Sequence, residues 1–430
     1  MPKPPQSATA AAEVRKPIAA DQCPHLGREY NHFDGPHLQN PYPFFQRLRE
    51  EAPITFNPML GSWLISRHED IATVMDNPSL FSSVGSIEDG TNLSPEARAI
   101  LGPGPLVLAT PINADPPSHT RQRRFLQPAL QPPRIARQEA RVRQLANALI
   151  DGFIHKGQAD LVDEFALPLP LQALLSLMGI PLEDMADIKQ WTIDLLMLAF
   201  AQVPPEAQPA MARGVVSLRS YCTRLVEQRR QQPQDDAVSE LAHCKVDGAV
   251  ITVEEFISLI VALIAGGHEG TTAQIALIVK NLLTQPERWQ QLLDDRTLIP
   301  KAIEEGMRLE AAAACMTRTT TQEVEVGGVL LPKGARLVVL LSSGNHDETQ
   351  FKDPEQFDPR RENLRHLGFG RGIHFCAGSL FAKLELRIAL ELLLERLPRV
   401  RLVPGQDYGY HQELVTMRNL RHVRVEWPVP

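Results

Sequence analysis

Cysteine is scarce: Cys23, Cys222, Cys244, Cys315 and Cys376 are the only 5 in 430 residues, an odd number with no Cys-x-x-Cys pair. That argues against a disulfide framework or a structural zinc site, and a reducing compartment fits. An excess of basic charge is also missing. Lys and Arg total 44 against 51 Asp and Glu, a net charge of −7, which argues against a general nucleic-acid binder, since phosphate must be neutralised by cations. Long apolar runs are lacking too. Residues 1–21 mix Pro, Ala, Ser and isolated charges. The most apolar stretch, 256–265, is soon interrupted by Gly266, Gly267, His268 and Glu269. Neither suits a secretory leader or a membrane span, and the second suits a buried helix. The expectation is a cytoplasmic protein without membrane or nucleic-acid partners.

What is present is an ordinary globular composition, 43% apolar and 22% charged, in a chain long enough to enclose a bulky ligand. The 36 prolines are spread as punctuation between segments of helical spacing. That spacing predicts helices over 42–51, 68–75, 137–153, 169–177, 211–230, 252–283, 286–294, 299–309 and 379–397. Short strands are predicted over 54–56, 62–65, 323–326, 336–341 and 422–425. The fold class is mainly α with small β-sheets. Residues 1–37 read as a flexible tail and 38–430 as a single domain, with no internal repeat.

The segment from Arg361 to Glu385, RENLRHLGFGRGIHFCAGSLFAKLE, is a glycine-rich loop leading to Cys376 immediately before an amphipathic helix. Amides at a helix start favour an anion, and with Arg371 nearby they should favour a thiolate. Gly370, Gly372 and Gly378 let the backbone approach a large flat ligand, and Phe369 can shield the sulfur. A buried thiolate beside a flat ligand suggests haem. Two other readings remain open at this point: a core cysteine, and a Cys-dependent hydrolase using His374.

The pattern Phe369-x-x-Gly372-x-His374-x-Cys376-x-Gly378 resembles the haem-binding loop of the cytochrome P-450 superfamily, of the soluble bacterial type. The resemblance extends from about residue 38 to 427. It implies haem b with Cys376 as the iron ligand, held between a long central distal helix and the proximal cysteine loop, with Phe369, Gly370 and Gly378 at the cofactor. His119 and Arg123, four residues apart in the segment from Asp115 to Arg124, would face the haem propionates together with Arg318 and His374. Glu305-x-x-Arg308 and Arg361 resemble the family's buried Glu-Arg-Arg brace. The implied activity is that of a haem-thiolate monooxygenase. It would activate O2 to hydroxylate or otherwise oxidise a small organic substrate, free or bound to a carrier protein, in secondary metabolism or xenobiotic oxidation. A monomer is implied, with no fused reductase. Its electrons would come from a separate ferredoxin and ferredoxin reductase, with Arg121, Arg124 and Arg371 as a candidate basic docking patch.

Two departures from the family pattern stand out. In Ala265-Gly-Gly-His-Glu269-Gly270-Thr271-Thr272, Glu269 matches the proton-handling acid, but Gly270 occupies the usual threonine position. Thr271 would replace that hydroxyl if the glycines bulged the helix by one residue. Otherwise a substrate group or a water completes the relay, or the enzyme uses peroxide or catalyses an atypical cyclisation or coupling. The second departure is the alanine run between Glu310 and Cys315, which predicts extra room near the haem. Other expected pocket walls are 81–106, 191–203, 259–271 and 414–417. They are mixed in polarity and single out no substrate.

Overall fold

Proline fixes φ and lacks an N–H, so it fits the first turn of a helix. It stands there in helices Gly35–Gln39, Tyr42–Glu51, Pro95–Leu101, Pro132–Arg137, Pro168–Met178, Gln208–Gln231, Pro286–Asp294 and Ile299–Leu309. The computed structural model describes residues 26–86, 93–103, 106, 110–200, 203–411 and 416–429, and the architecture is mainly helical with small sheets, as expected.

The longest helix, Val253–Thr284, opens with a reciprocal capping box between Thr252 and Glu255. It is buried against Pro168–Met178, Gln208–Gln231, Ile299–Leu309 and Ser379–Arg396. Its apolar stretch, broken by Gly266, Gly267, His268 and Glu269, is too short and too polar to predict a membrane span. The helix is in fact long and apolar enough to cross one by length and composition, with a hydropathy of 1.3 over its best window. What marks it as a core helix is packing: half of that window is buried inside the fold.

The main sheet has the strand order Ile54–Asn57, Ser62–Ile65, Arg336–Val339, Met316–Thr320 and Phe81–Ser82. The pair Ser62–Ile65 and Arg336–Val339 is parallel and the other pairs are antiparallel. Its register sets Arg318 opposite Leu337. Met316–Thr320 was not read as a strand, and neither was Met185–Phe200 as a helix. The latter pairs with Gln208–Gln231 over the central helix.

The expected tail needs correction. Residues 1–25, including Cys23, lie outside the described residues, but from Leu26 the chain is packed. Leu26 and Tyr30 are buried in one cluster with Phe44, Phe45 and Leu48, because a Tyr30 ring stacked on Phe44 at 5.4 Å removes apolar surface from water.

Candidate functional site

Two glycines shape the loop before Cys376. Gly370 and Gly372 have φ of +70° and +69°, a region that L side chains avoid. A Cβ on Gly372 would also lie 2.4 Å from the Met75 carbonyl oxygen. The loop closes through Gly370 N–H to Leu367 O at 2.8 Å, Phe375 N–H to Gly372 O at 3.1 Å and Cys376 N–H to Phe369 O at 2.9 Å. The helix Ser379–Arg396 follows at once.

Cys376 is therefore presented to the first amides of that helix. Burial pushes its thiol above the ordinary range, while the Gly378 and Ser379 amides and the Arg123 guanidinium pull it down. Burial wins, so the free thiol is not the ready thiolate expected from the helix terminus alone. Arg371 is not the relevant cation either: it is ion-paired with Asp76 at 2.7 Å. A metal at the sulfur removes the proton outright.

The four expected propionate partners come from three separate segments. His119 and Arg123 lie on helix Ser118–Leu126, Arg318 on its strand, and His374 on the turn Gly372–His374. The rings of His119 and His374 are 4.4 Å apart. Arg318 is buried and donates to the Thr317 carbonyl at 2.7 Å, and burial lowers its pKa to about 10. Burial also lowers Arg123, which makes no hydrogen bond or ion pair among the described residues. His119 is buried with neither ring nitrogen hydrogen-bonded. Burial and then Arg123 hold its pKa below the usual value, against the pull of Asp115.

His374 differs from the other three. Its Nδ1 lies 3.0 Å from the Pro111 carbonyl, so Nδ1 carries the proton, and its Nε2 accepts from Ser83 Oγ at 3.0 Å. Burial, then Arg318 and His119, push its pKa to about 4, and it stands as a neutral brace.

Haem brings two carboxylates and a flat apolar ring, and the residues fit both. Buried or half-buried cations and donors that make no ion pair are costly unless an anion arrives; His119, Arg123 and Arg318 form such a set among the described residues, with only the more distant pull of Asp115 on His119 and Arg318. Space for a ring lies open beside the glycines. A Cβ on Gly378 would meet nothing within 4 Å, and one on Gly266, mid-way along the central helix, would meet only Ile112 Cδ1 at 4.0 Å.

Glu269, Gly270 and Thr271 occupy an uninterrupted α-helix. The bulge that would swing Thr271 into the place of residue 270 is absent, although a π-helical turn does occur elsewhere, at Val162–Ala166. Glu269 is partly buried and Thr271 buried. The alanine run passes beside the C-terminal segment. Ala314 N–H donates to Thr416 O at 2.9 Å, Arg418 N–H to Ala312 O at 2.8 Å, and Ala313 bridges to Met417. Of the other expected walls, residues 87–92, 104–105, 201–202 and 414–415 lie outside the described residues. A cavity of about 20 Å³ among Leu106, Thr110, Leu195, Arg219 and Ser258 lies between the central helix and its covering pair.

The brace is present as expected. Glu305 receives Arg308 at 2.8 and 2.9 Å and Arg361 at 3.2 Å. Sequence reasoning missed a second one. Glu310, fully enclosed, receives Lys280, Asn281 at 2.9 Å, Tyr410 at 3.0 Å and Arg418 at 2.8 Å. Its partners lie from 29 to 108 residues away, so no local pattern announces it. The candidate basic patch is neutralised: Arg121 pairs with Glu255 at 2.6 Å, Arg124 with Asp247 at 2.8 Å and Arg371 with Asp76.

Comparison with known proteins places these features in context. The family model described as cytochrome P-450 matches residues 182–417. Cytochrome P-450 107B1 of Saccharopolyspora erythraea is 34% identical over 401 residues, 91% of this chain and 96% of the relative. The mycinamicin IV hydroxylase/epoxidase of Micromonospora griseorubida is 33% identical over 389 residues, 89% and 94% of the two chains. An intact type IV self-sufficient cytochrome P-450 monooxygenase superposes with a TM-score of 0.87 at 33% identity. That match takes in 94% of this chain but 53% of the larger one, so this chain spans about half of that enzyme.

Proposed function

The chain belongs to the cytochrome P-450 family of haem-dependent monooxygenases, and from that premise we propose that Cys376 ligates haem b while the chain oxidises a small organic molecule of secondary metabolism or xenobiotic origin. The observation that carries this reading is the meeting of a buried thiol with Arg123, whose charge it feels, beside His119 and Arg318, none of the three in an ion pair among the described residues. Bound there, the haem supplies the reduction and cleavage of O2 that inserts one oxygen atom into substrate.

The chain's own residues do the rest. Arg123 and Arg318 neutralise the propionates and His119 donates to them, each recovering what burial cost it. His374, neutral, holds the loop to Ser83 and Pro111 and acts on the propionates through His119. Phe369 anchors Cys376 through its carbonyl and Gly370 and Gly378 leave room for the ring. Gly270 leaves the distal helix without a side chain at that position. The Glu269 carboxyl stands one position before Gly270 as the group that would pass protons, with substrate or the Thr271 hydroxyl as its partner.

A second reading has its own support. With the helix regular, Thr271 points about 100° away from position 270, so no side-chain hydroxyl stands in the usual place. Peroxide use, or an oxidative cyclisation or coupling, then needs less from the chain than O2 activation does. Electrons for the main reading come from a separate ferredoxin and ferredoxin reductase. They meet a monomer in the cytoplasm near the groove of about 340 Å³ lined by Ile135, Pro300, Leu380 and Lys383.

The decisive test is the visible spectrum of the reduced, carbon-monoxide-bound protein. The thiolate-type Soret shift is expected and should vanish in Cys376→Ser; a haem-loaded chain without it refutes the assignment. Product formation with redox partners, compared with hydrogen peroxide alone, separates the two readings. A spin-state screen that includes carrier-bound compounds identifies the substrate.

A further inference from the structure

Gly270 leaves the central helix without a side chain at one point, and a residue distant in sequence lies against the gap. A Cβ on Gly270 would stand 3.8 Å from Cε of Met417, already van der Waals contact. The next atoms of a threonine would extend about 1.5 Å further, and one turned toward Met417 would meet the thioether methyl. The Met417 backbone is pinned on both sides by the bonds from Ala314 to Thr416 and from Arg418 to Ala312, and by its bridge to Ala313. Arg418 is itself fixed by Glu310 at 2.8 Å and by the Leu38 and Gln39 carbonyls at 2.6 and 2.8 Å. The facing wall, Ala311 to Ala314, offers only methyl groups. Among the described residues, Met417 is thus the one long side chain seen against position 270.

We propose that Met417 and Gly270 form a coupled pair that determines specificity. The Met417 methyl takes the volume that a side chain at 270 would hold, and thereby sets how bulky a group is accepted over the distal helix. This rests on the haem assignment to Cys376 made above. Shape, as well as sequence, then keeps a hydroxyl out of position 270, because a threonine there competes with a methionine that its backbone cannot carry away.

The full chain, loaded with haem, is titrated with imidazole and with 4-phenylimidazole, and binding is read from the Soret shift, which reports ligation without turnover. Met417→Ala is expected to tighten 4-phenylimidazole about tenfold while changing imidazole less than about twofold, since only the bulky probe fills the vacated volume. Gly270→Thr should weaken 4-phenylimidazole in the parent and have little effect in the Met417→Ala background, so the two substitutions are non-additive. If the alanine variant does not take up haem, Met417→Val carries the same expectation at about threefold. A 4-phenylimidazole affinity that stays within about twofold, or effects that simply multiply, overturns the proposal. A reduced carbon-monoxide spectrum without the thiolate band overturns the Cys376 assignment first and this proposal with it, so the two failures are distinguishable.

Discussion

Glu305 and Arg308, one helical turn apart, meet through two parallel hydrogen bonds of 2.8 and 2.9 Å with neither side chain exposed. The remaining Arg308 donors go to the Asn345, Pro354 and Gln356 carbonyls, and Arg361 joins from the meander at 3.2 Å. A buried ion pair justifies its desolvation only when every donor is used, and here they are. Removing one member strands the others. Glu305→Ala or Arg361→Ala should lose about 3–5 kcal/mol of stability, read by denaturant unfolding, and haem content should fall because the cysteine loop rests on this brace.

The glycines of the cysteine loop should separate into two classes. Gly372→Ala forces a Cβ against a backbone oxygen at positive φ, and should cost about 1–3 kcal/mol with loss of purified haemoprotein. Gly378→Ala meets nothing in the chain. Its apoprotein should unfold like the parent while haem transfers faster to an acceptor globin. Equal behaviour of the two variants would contradict the placement of the ring beside Gly378.

Glu310 predicts an acid limb. Although burial alone raises it, Lys280 and Arg418 hold its pKa at about 2 instead of 4.5. A carboxylate whose folded pKa is depressed adds stability that is complete above its unfolded value and is lost as pH falls through the folded one. Between pH 4.5 and 2, therefore, the parent should lose stability more steeply than Glu310→Gln, which at neutral pH is the weaker protein. Urea midpoints across that range measure the difference; parallel curves would rule out the charged network.

Glu385 works in the opposite direction. Its carboxyl is fully buried on the helix that follows Cys376, both oxygens lack a hydrogen-bond partner, and burial pushes its pKa well above 4.5. The folded chain holds a proton there that the unfolded chain releases, so its contribution is complete below pH 4.5 and declines as pH rises toward the raised value. Glu385→Met should gain about 1 kcal/mol or more near pH 8 and flatten the fall in stability from pH 5 to 8. A variant less stable than the parent at both ends would show the carboxyl to be doing something packing does not reveal.

Much of the site was legible because it is local. Cys376, its glycines and the Glu305-x-x-Arg308 spacing are short patterns in which backbone geometry demands particular residues, and the long helix shows in its periodicity. The helix Met185–Phe200 escaped because its apolar residues, among them Ile188, Leu195 and Leu198, leave little polar face to mark a period. The electrostatics escaped for a different reason. Arg121, Arg124 and Arg371 read as free cations until the fold brought Glu255, Asp247 and Asp76 to them across 134, 123 and 295 residues. The regularity of the helix around Gly270 was equally hidden, since glycines permit a bulge without requiring one.

Arg418 reaches back 380 residues to the Leu38 carbonyl and 379 to that of Gln39. Contacts of such span are late events for a chain made from its N-terminus onward, because loop closure must precede their reward. Helix Gly35–Gln39 leaves the ribosome long before the guanidinium that donates to its carbonyls. The latch between helix Gly35–Gln39 and the C-terminal segment thus stays open until Arg418 has been made, and a cut or truncation before that residue would leave the helix without its anchor.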